Sequence, residues 1–129
     1  MEGVFVQPRI ASATDPNCLK QFARNTVFGT AGLVISAKLG RLYKVSVVNS
    51  AATRYFVQLH DKATAPINTD VAIWEASLAA SSGVEIDFGL SGLYFANGIS
   101  LAISSAKGAL TLAVATDCCA YALYTATTT

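Results

Sequence analysis

The chain has 129 residues, with nine basic and eight acidic side chains, and 53% of its residues are hydrophobic. Charged residues make up 13%, against roughly 25% in a typical soluble domain. One domain of this length can bury a real core, but it has few charges with which to cover its surface. The net charge of +1, with no basic cluster, excludes the electrostatic signature of nucleic-acid binding. The sequence also shows neither a signal peptide nor an apolar run long enough to span a membrane, so we expect no membrane partner.

Residues 1–29 are predicted to form an irregular N-terminal arm. Pro8 and the turn signal Asp15-Pro16-Asn17 interrupt this segment, and the stretch from Asn17 to Arg24 shows at most the weak pattern of a short helical turn. Its apolar residues follow no period that would let the arm fold on itself. An arm of this kind gains by becoming ordered against a neighbouring subunit. The residues predicted to bind that partner are Val4, Phe5, Val6, Ile10, Leu19 and Phe22.

From residue 30 onward, apolar and polar residues alternate with a period of two, which predicts strands with one buried face. The first three predicted strands are Gly32–Ala37, Arg41–Asn49 and Thr53–His60. The second and third are expected to pair as a hairpin through residues 50–52. Their predicted inward side chains are Tyr43, Val45, Val47, Tyr55, Val57 and Leu59, with Arg54, Gln58 and His60 on the opposite side.

The second half of the chain continues this pattern. The predicted strands are Val71–Leu78, Val84–Phe88 and a strand marked by Ile99, Leu101 and Ile103, then two marked by Leu110, Leu112 and Val114 and by Cys119, Tyr121 and Leu123. Residues 105–108 are predicted to be a compact hairpin turn. About eight strands at this spacing predict an all-β fold, an antiparallel β-sandwich or jelly-roll-like single domain over residues 30–129. The expected core comprises Val45, Val47, Val57, Leu59, Ile86, Phe88, Leu101 and Ile103.

No catalytic grouping is found on these strands, and we predict that the protein is not an enzyme. His60 and Asp61 are adjacent, so their side chains should diverge, and no nucleophile elbow is present; His60 is expected to be a surface or turn residue. Glu85 and Asp87 share one strand face, which we interpret as a solvated outer face, with a carboxylate pair or a calcium site as less favoured alternatives.

The cysteines and glycines give structural rather than chemical signals. Cys18, Cys118 and Cys119 form no metal motif with the single histidine, so we expect no metal and no cofactor. The thiols are interpreted as idle, the alternative being a disulfide to a neighbouring chain, and one of the two adjacent cysteines should face outward. The glycines of residues 89–92 are expected to permit positive φ in a tight corner. Most aromatic side chains are assigned to packing.

Three stretches of the sequence resemble a known class of protein. They are residues 40–49 (GRLYKVSVVN), residues 55–61 (YFVQLHD), and residues 87–105, which contain Asp87-Phe88-Gly89, Gly92 and Asn97-Gly98-Ile99-Ser100-Leu101-Ala102-Ile103-Ser104-Ser105. In strand edges and turns they are similar to small β-sandwich virion proteins of tailed bacteriophages. The resemblance covers about half of the chain, residues 40–105, and it carries no active site.

This resemblance implies a structural role in the virion, after assembly in the host cytoplasm. The implied partners are copies of the chain itself and other virion proteins, above all the major capsid protein, so we expect a homo-oligomer or a symmetric lattice. Capsid decoration or cement is the favoured interpretation. A tail, neck or fibre-attachment component is the first alternative, and a carbohydrate-binding receptor-recognition module is the second, which exposed aromatic residues in a concave patch would favour.

Overall fold

The computed structural model describes residues 19–127, apart from the side chain of Asn25. Nine strands occupy this range, and no helix occurs within it. The strands are β1 (Lys20–Phe28), β2 (Leu33–Ser36), β3 (Gly40–Asn49), β4 (Tyr55–Asp61), β5 (Trp74–Leu78), β6 (Ser82–Asp87), β7 (Leu93–Phe95), β8 (Ile99–Ser104) and β9 (Cys118–Ala126).

The strands form two antiparallel sheets. Sheet A has the order β1-β9-β3-β6, with the short β7 beside the first residues of β3, and sheet B has the order β2-β8-β4-β5. With β7 set aside, the first strand pairs with the last, the second with the next to last, and so on inward to β4 and β5. This nested pairing is that of a jelly-roll-like sandwich. The predicted all-β sandwich is confirmed.

The core lies between the two sheets, where the period-two pattern predicted it. Val45 and Val47 of sheet A are fully buried, as are Val57, Leu59, Leu101 and Ile103 of sheet B. Ile86 and Phe88 are only partly buried, because β6 is the last strand of its sheet. Phe88 packs edge-to-face on Trp74, with ring centroids 5.5 Å apart. This contact closes the side of the sandwich where β5 and β6 lie.

The predicted hairpin between the second and third strands is wrong. β3 pairs with β6, β7 and β9, whereas β4 pairs with β5 and β8 in the other sheet. Residues 50–54 therefore cross from one sheet to the other. Alternation identifies which face of a strand is buried, but the neighbouring strand is chosen by contacts far away in sequence. The chain changes sheets at most of its connections, the exceptions being β4 to β5 and β6 to β7.

A β-bulge shifts the inward face of β3. The register changes between Leu42 and Lys44, so Tyr43 is an additional residue on this strand. As a result Leu42, fully buried, occupies the core, and Tyr43 is only half-buried. The expectation that Tyr43 shares the buried face of Val45 is wrong for this reason.

The N-terminal arm is shorter than predicted. Residues 20–28 form β1, an edge strand of sheet A that pairs with β9, so the helical turn proposed for this region is wrong where the structure describes it. Backbone pairing with β9 and the packing of Phe22 on the core override a weak local pattern. Residues 1–18 lie outside the described residues.

Two long connections cover the outer side of sheet B. Residues 62–73 follow β4 and residues 105–113 follow β8; we call them together the cover layer. The amide of Thr69 donates a hydrogen bond to the carbonyl of Leu110 at 3.4 Å. The amide of Ala113 donates one to the carbonyl of Ile103 at 3.1 Å. The strand predicted from Leu110 to Val114 is absent, apart from one bridge between Ser104 and Leu112. Leu110 is buried, whereas Val114 is 93% exposed.

Candidate functional site

The outer side of sheet A carries a shallow groove formed by residues of β1, β3, β6 and β9. The members of this outer side follow from the strand register, which places them opposite one another across four strands. We call this set the sheet A face: Gln21, Ala23, Lys44, Ser46, Val48, Glu85, Asp87, Cys119, Tyr121 and Leu123.

The central strand of this face has its large side chains outside and its small ones inside. The inward positions of β9 are Cys118, Ala120 and Ala122, all buried. The outward positions are Cys119, Tyr121 and Leu123, and Tyr121 is 43% exposed. Tyr121 is therefore an exception to the expectation that most aromatic side chains pack in the core. Val45 and Val47 of the neighbouring strand β3 already fill this part of the core, so the positions of β9 opposite them hold small residues.

Charged groups lie along one side of the sheet A face. Lys44 Nζ is 3.4 Å from Glu85 Oε2, and both side chains are largely exposed. An exposed pair of this kind contributes about 0–1 kcal/mol to stability. Asp87 accepts a hydrogen bond from the amide of Gly89 at 2.8 Å. Val48, 45% exposed, lies on the same face. The face thus combines an apolar middle with a mixed-charge margin. Glu85 and Asp87 point outward as predicted.

A shallow groove of about 250 Å³ crosses this face. We call it the sheet A groove. Small side chains on either side of Tyr121 create it, because Ala23 is the register partner of Tyr121 on β1 and Ser46 is its partner on β3. Leu123 lies at one end, and Lys44 and Glu85 border it. The volume lies below the roughly 300–1,000 Å³ of sites for drug-sized ligands. A groove of this volume is better suited to a few protein side chains than to a drug-sized ligand.

The free edge of sheet A is protected against strand addition. Lys20 and Arg24 lie on the inward-pointing side of β1, in register with Tyr124 and Ala120. The Arg24 guanidinium sits over the Phe28 ring at 5.9 Å from its centroid, and the register shifts between these two residues. Inward-pointing charges and bulges are devices by which edge strands avoid pairing with other chains. The β1 edge of sheet A is therefore poorly suited to strand addition.

Sheet B carries a buried row of polar groups beneath the cover layer. His60 Nε2 is 3.0 Å from Gln58 Oε1, and Gln58 Nε2 donates to Glu75 Oε2 at 2.8 Å. Glu75 in turn accepts the amide N–H of Gly108 at 3.0 Å. Because the amide of Gln58 donates to Glu75, its oxygen is left to accept from the His60 ring. These bonds link β4 and β5 to the cover layer.

The expectation of a surface or turn histidine at position 60 is wrong. His60 and Gln58 are each 1% exposed, because the cover layer lies over the side of β4 that alternation assigns to solvent. Burial lowers the pKa of His60 below its ordinary value of 6.5. Asp70 and a hydrogen bond to the Val71 backbone act in the opposite direction, whereas Lys62 lowers the pKa further.

Asp61 accepts hydrogen bonds from the turn before β8 and does not pair with His60. Its carboxylate accepts the amide N–H groups of Ala96, Asn97 and Gly98 at 3.2, 2.8 and 3.3 Å. His60, by contrast, hydrogen bonds to Gln58. The two side chains diverge as predicted.

The two cysteines of β9 differ in environment, as the adjacency of the residues predicted. Cys118 is buried, and this burial, with the nearby Asp117 and Cys119, raises its pKa to about 12. Cys119 is half-buried on the sheet A face. Cys118 is a free thiol. Cys18 lies outside the described residues, so the alternative of a disulfide to a neighbouring chain stays a prediction.

The glycine corner and the exposed aromatic rings complete the sequence-predicted features. Gly89 and Gly92 have φ values of 80° and 69°, which confirms the predicted tight corner. Tyr94, 50% exposed, contacts Arg41 near the start of β3, whereas Tyr121 lies opposite Ser46. These two rings do not form one concave platform.

The residues predicted to bind a partner are only partly within the described range. Val4, Phe5, Val6 and Ile10 precede it. Leu19 is 53% exposed, and Phe22 is partly buried against the core of its own sandwich. The sequence reasoning missed the sheet A face. The signal available for it was the alternation of small and large residues from Cys118 to Leu123, read in the opposite sense.

Within residues 19–127, no three His, Cys, Asp or Glu side chains are grouped so that they could hold a metal ion. The same range contains no helix with the length and apolar character needed to cross a bilayer.

No protein-family model matches the chain, and no curated protein matches it either. Among solved structures, the coat protein of Tobacco streak virus is similar to this chain, with 10% identity and a TM-score of 0.44. The alignment covers 92% of this chain and 93% of the coat protein chain. A similarity of this size carries no inference about function.

Proposed function

We propose that this protein is a structural component of a virus particle, and that it acts by packing its sheet A face against neighbouring subunits. The observation that carries the proposal concerns strand β9. Its small residues Ala120 and Ala122 face the core, whereas its larger residues Tyr121 and Leu123 face outward. Large apolar side chains on an uncovered sheet are a cost to an isolated chain. They become favourable contacts once a partner covers them.

Two further properties support packing by faces. The chain has charged residues at only 13% of its positions, which suits a protein whose surface is covered in an assembly. The β1 edge carries Lys20 and Arg24 on its inward side, which opposes uncontrolled growth by strand pairing. When many identical copies assemble, modest interfaces add up to strong attachment.

The sequence resemblance over residues 40–105 gives the proposal its finer form. It favours a decoration or cement protein that stabilises the head of a tailed bacteriophage, with the major capsid protein and further copies of this chain as partners. The protein would then be located in the virion after assembly in the host cytoplasm. The proposal includes no catalytic activity and no cofactor.

The proposal is tested by binding the purified chain to particles that lack it. Leu123→Lys places a charge on the sheet A face and is expected to weaken binding at least tenfold, because the desolvated lysine would have no partner there. Leu90→Lys is the matched control, since Leu90 is fully exposed in the turn after β6. Electron microscopy of the decorated particles distinguishes attachment to the head from attachment to the tail.

Two results would overturn the proposal. One is the absence of the chain from purified particles in quantitative mass spectrometry. The other is equal binding of Leu123→Lys and Leu90→Lys, with both variants shown to be folded.

A further inference from the structure

We propose that the sheet A groove receives the apolar N-terminal residues Val4–Ile10 of a second copy of this chain. This inference rests on the proposed function, since it names the partner segment for the sheet A face. It links an exposed apolar groove of the described sandwich to the apolar stretch of the chain that precedes it in sequence.

The chemistry of the groove fits such a segment. Ala23, Tyr121 and Leu123 give it apolar walls, and Ser46 leaves room beside the tyrosine ring. The Val4-Phe5-Val6 triplet supplies one aromatic and two branched aliphatic side chains. A volume of about 250 Å³ accommodates a few side chains of this size.

The charges are also complementary. The sheet A face carries one cation, Lys44, and two anions, Glu85 and Asp87, which gives a net charge of −1. Between Gly3 and Thr14 the sequence contains a single charged residue, Arg9. The apolar segment is thus followed by one positive charge, Arg9, and the apolar groove is bordered by one more negative charge than positive. These charges attract each other.

The length of the chain before β1 favours a second copy over the same copy. Phe5 lies fourteen residue steps before Leu19, a reach of about 46 Å at ~3.3 Å per extended residue. The four strands β1, β9, β3 and β6 span three spacings of ~4.8 Å, about 14 Å in all. Pro8 and Pro16 favour an extended path for the residues that precede them.

If the chain before β1 runs across its own sheet on an extended path, the residues that would cover its groove are those just before β1. About four extended residues span the sheet, and these are Asp15-Pro16-Asn17-Cys18, a polar turn sequence. On such an extended path the apolar triplet would pass the margin of its own sheet, where it could reach a neighbour.

Site-directed cross-linking tests the proposal with the full-length chain. One preparation carries Phe5→Cys and the other carries Ser46→Cys, both with Cys18→Ser and Cys119→Ser. Cys118 is retained, because its buried thiol stays protonated. The two preparations are mixed at high concentration with a short bismaleimide, and the products are separated by size and sequenced by mass spectrometry. Any link between positions 5 and 46 then joins two copies.

We expect the mixture to give a 5–46 cross-linked dimer in at least tenfold excess over a matched control. In that control, Ser77→Cys replaces Ser46→Cys; Ser77 is an exposed serine on β5 of the other sheet. Equal yields at positions 46 and 77, or no dimer at either, would overturn the proposal. So would a chain carrying both Phe5→Cys and Ser46→Cys that links only within itself at every concentration.

The failure of this proposal is distinguishable from that of the proposed function. If Leu123→Lys weakens particle binding while position 46 forms no cross-link, the face binds a different segment and the function stands. If the cross-link forms but the chain is absent from particles, the arm contact stands and the virion role fails.

Discussion

His60 Nε2 lies 3.0 Å from Gln58 Oε1, and both side chains are buried on the side of β4 that alternation assigns to solvent. The amide nitrogen of Gln58 donates a hydrogen bond to Glu75, and Glu75 also accepts one from the backbone amide of Gly108 in the cover layer. This short series of hydrogen bonds explains how a polar strand face can be buried without unpaired groups. No buried side-chain nitrogen or oxygen within residues 19–127 lacks a partner.

Gln58→Ala is expected to lower the free energy of unfolding by about 1–3 kcal/mol, since it leaves the His60 ring and the Glu75 carboxylate without their shared partner. Urea denaturation followed by tryptophan fluorescence measures the change. Ser77→Ala, at an exposed position on the neighbouring strand, should change stability by less than about 0.5 kcal/mol. If the two variants were equally stable, the network would have no energetic importance.

Stability should fall on mild acidification because of His60. Burial lowers its pKa in the folded state, so the folded protein binds a proton less tightly than the unfolded chain does. The contribution of neutral His60 is complete above its ordinary value of 6.5 and is lost as the pH falls through 6.5 towards the folded-state pKa. The free energy of unfolding, measured from about pH 8 to about pH 5, should therefore decrease.

The His60→Gln variant tests the source of this slope. It keeps a hydrogen-bonding group at the position but removes the titrating ring, so its stability should depend less on pH over the same range. Asp70, whose pKa the Lys62 hydrogen bond lowers, loses its stabilising contribution only as the pH falls below its ordinary value of 3.8. An identical slope in the variant and the parent would assign the pH dependence to other groups.

Two adjacent valines of β3 provide a direct test of its buried and exposed faces. Val47 is fully buried and Val48 is 45% exposed. Val47→Asp should cost about 3 kcal/mol or more, or prevent folding, because an isolated charge would be buried without a partner. Val48→Asp should cost under about 1 kcal/mol. Thermal and urea denaturation of the pair gives the comparison, and similar losses would contradict the assigned faces.

Two truncations separate the arm from strand β1. Removing residues 1–18 should leave the thermal stability of the sandwich nearly unchanged while weakening self-association and attachment to particles. Removing residues 1–25 also deletes Lys20–Arg24, which pair with β9, and should lower the melting temperature clearly. Circular dichroism and sedimentation velocity measure these two properties. Unchanged self-association of the shorter truncation would show that the arm is not the anchor.

Much of the fold was readable from the alternation of residue types. Seven of the nine strands overlap a predicted strand. Strand β1 was taken for part of the arm, the short β7 was not predicted, and the stretch from Leu110 to Val114 is not a strand. The buried positions Val45, Val57 and Leu101 follow from the period alone, because successive side chains of a strand point to opposite faces. The bulge at Tyr43 and the sheet assignment of β4 were not readable, because both depend on the partner strands.

The candidate site was the least predictable part of the molecule. The alternation on β9 marked two faces, but by itself it did not show which of them faces the core. The inward positions are in fact Ala120 and Ala122, because Val45 and Val47 already fill the space beside them. Similarly, Gln58 and His60 are covered by segments that lie close in space but far apart in the chain.

By itself, the sequence determined that this is an all-β chain, where most strands run, and that the region before them differs from the rest, since these properties depend on local period and composition. The tertiary structure decided which strands pair, which face of β9 is outside, and that a cover layer buries His60. These outcomes depend on the volume available between packed strands and on contacts such as Glu75 with Gly108, which join residues distant in the sequence. For that reason the uncovered sheet A face, on which the proposed function rests, became visible only in three dimensions.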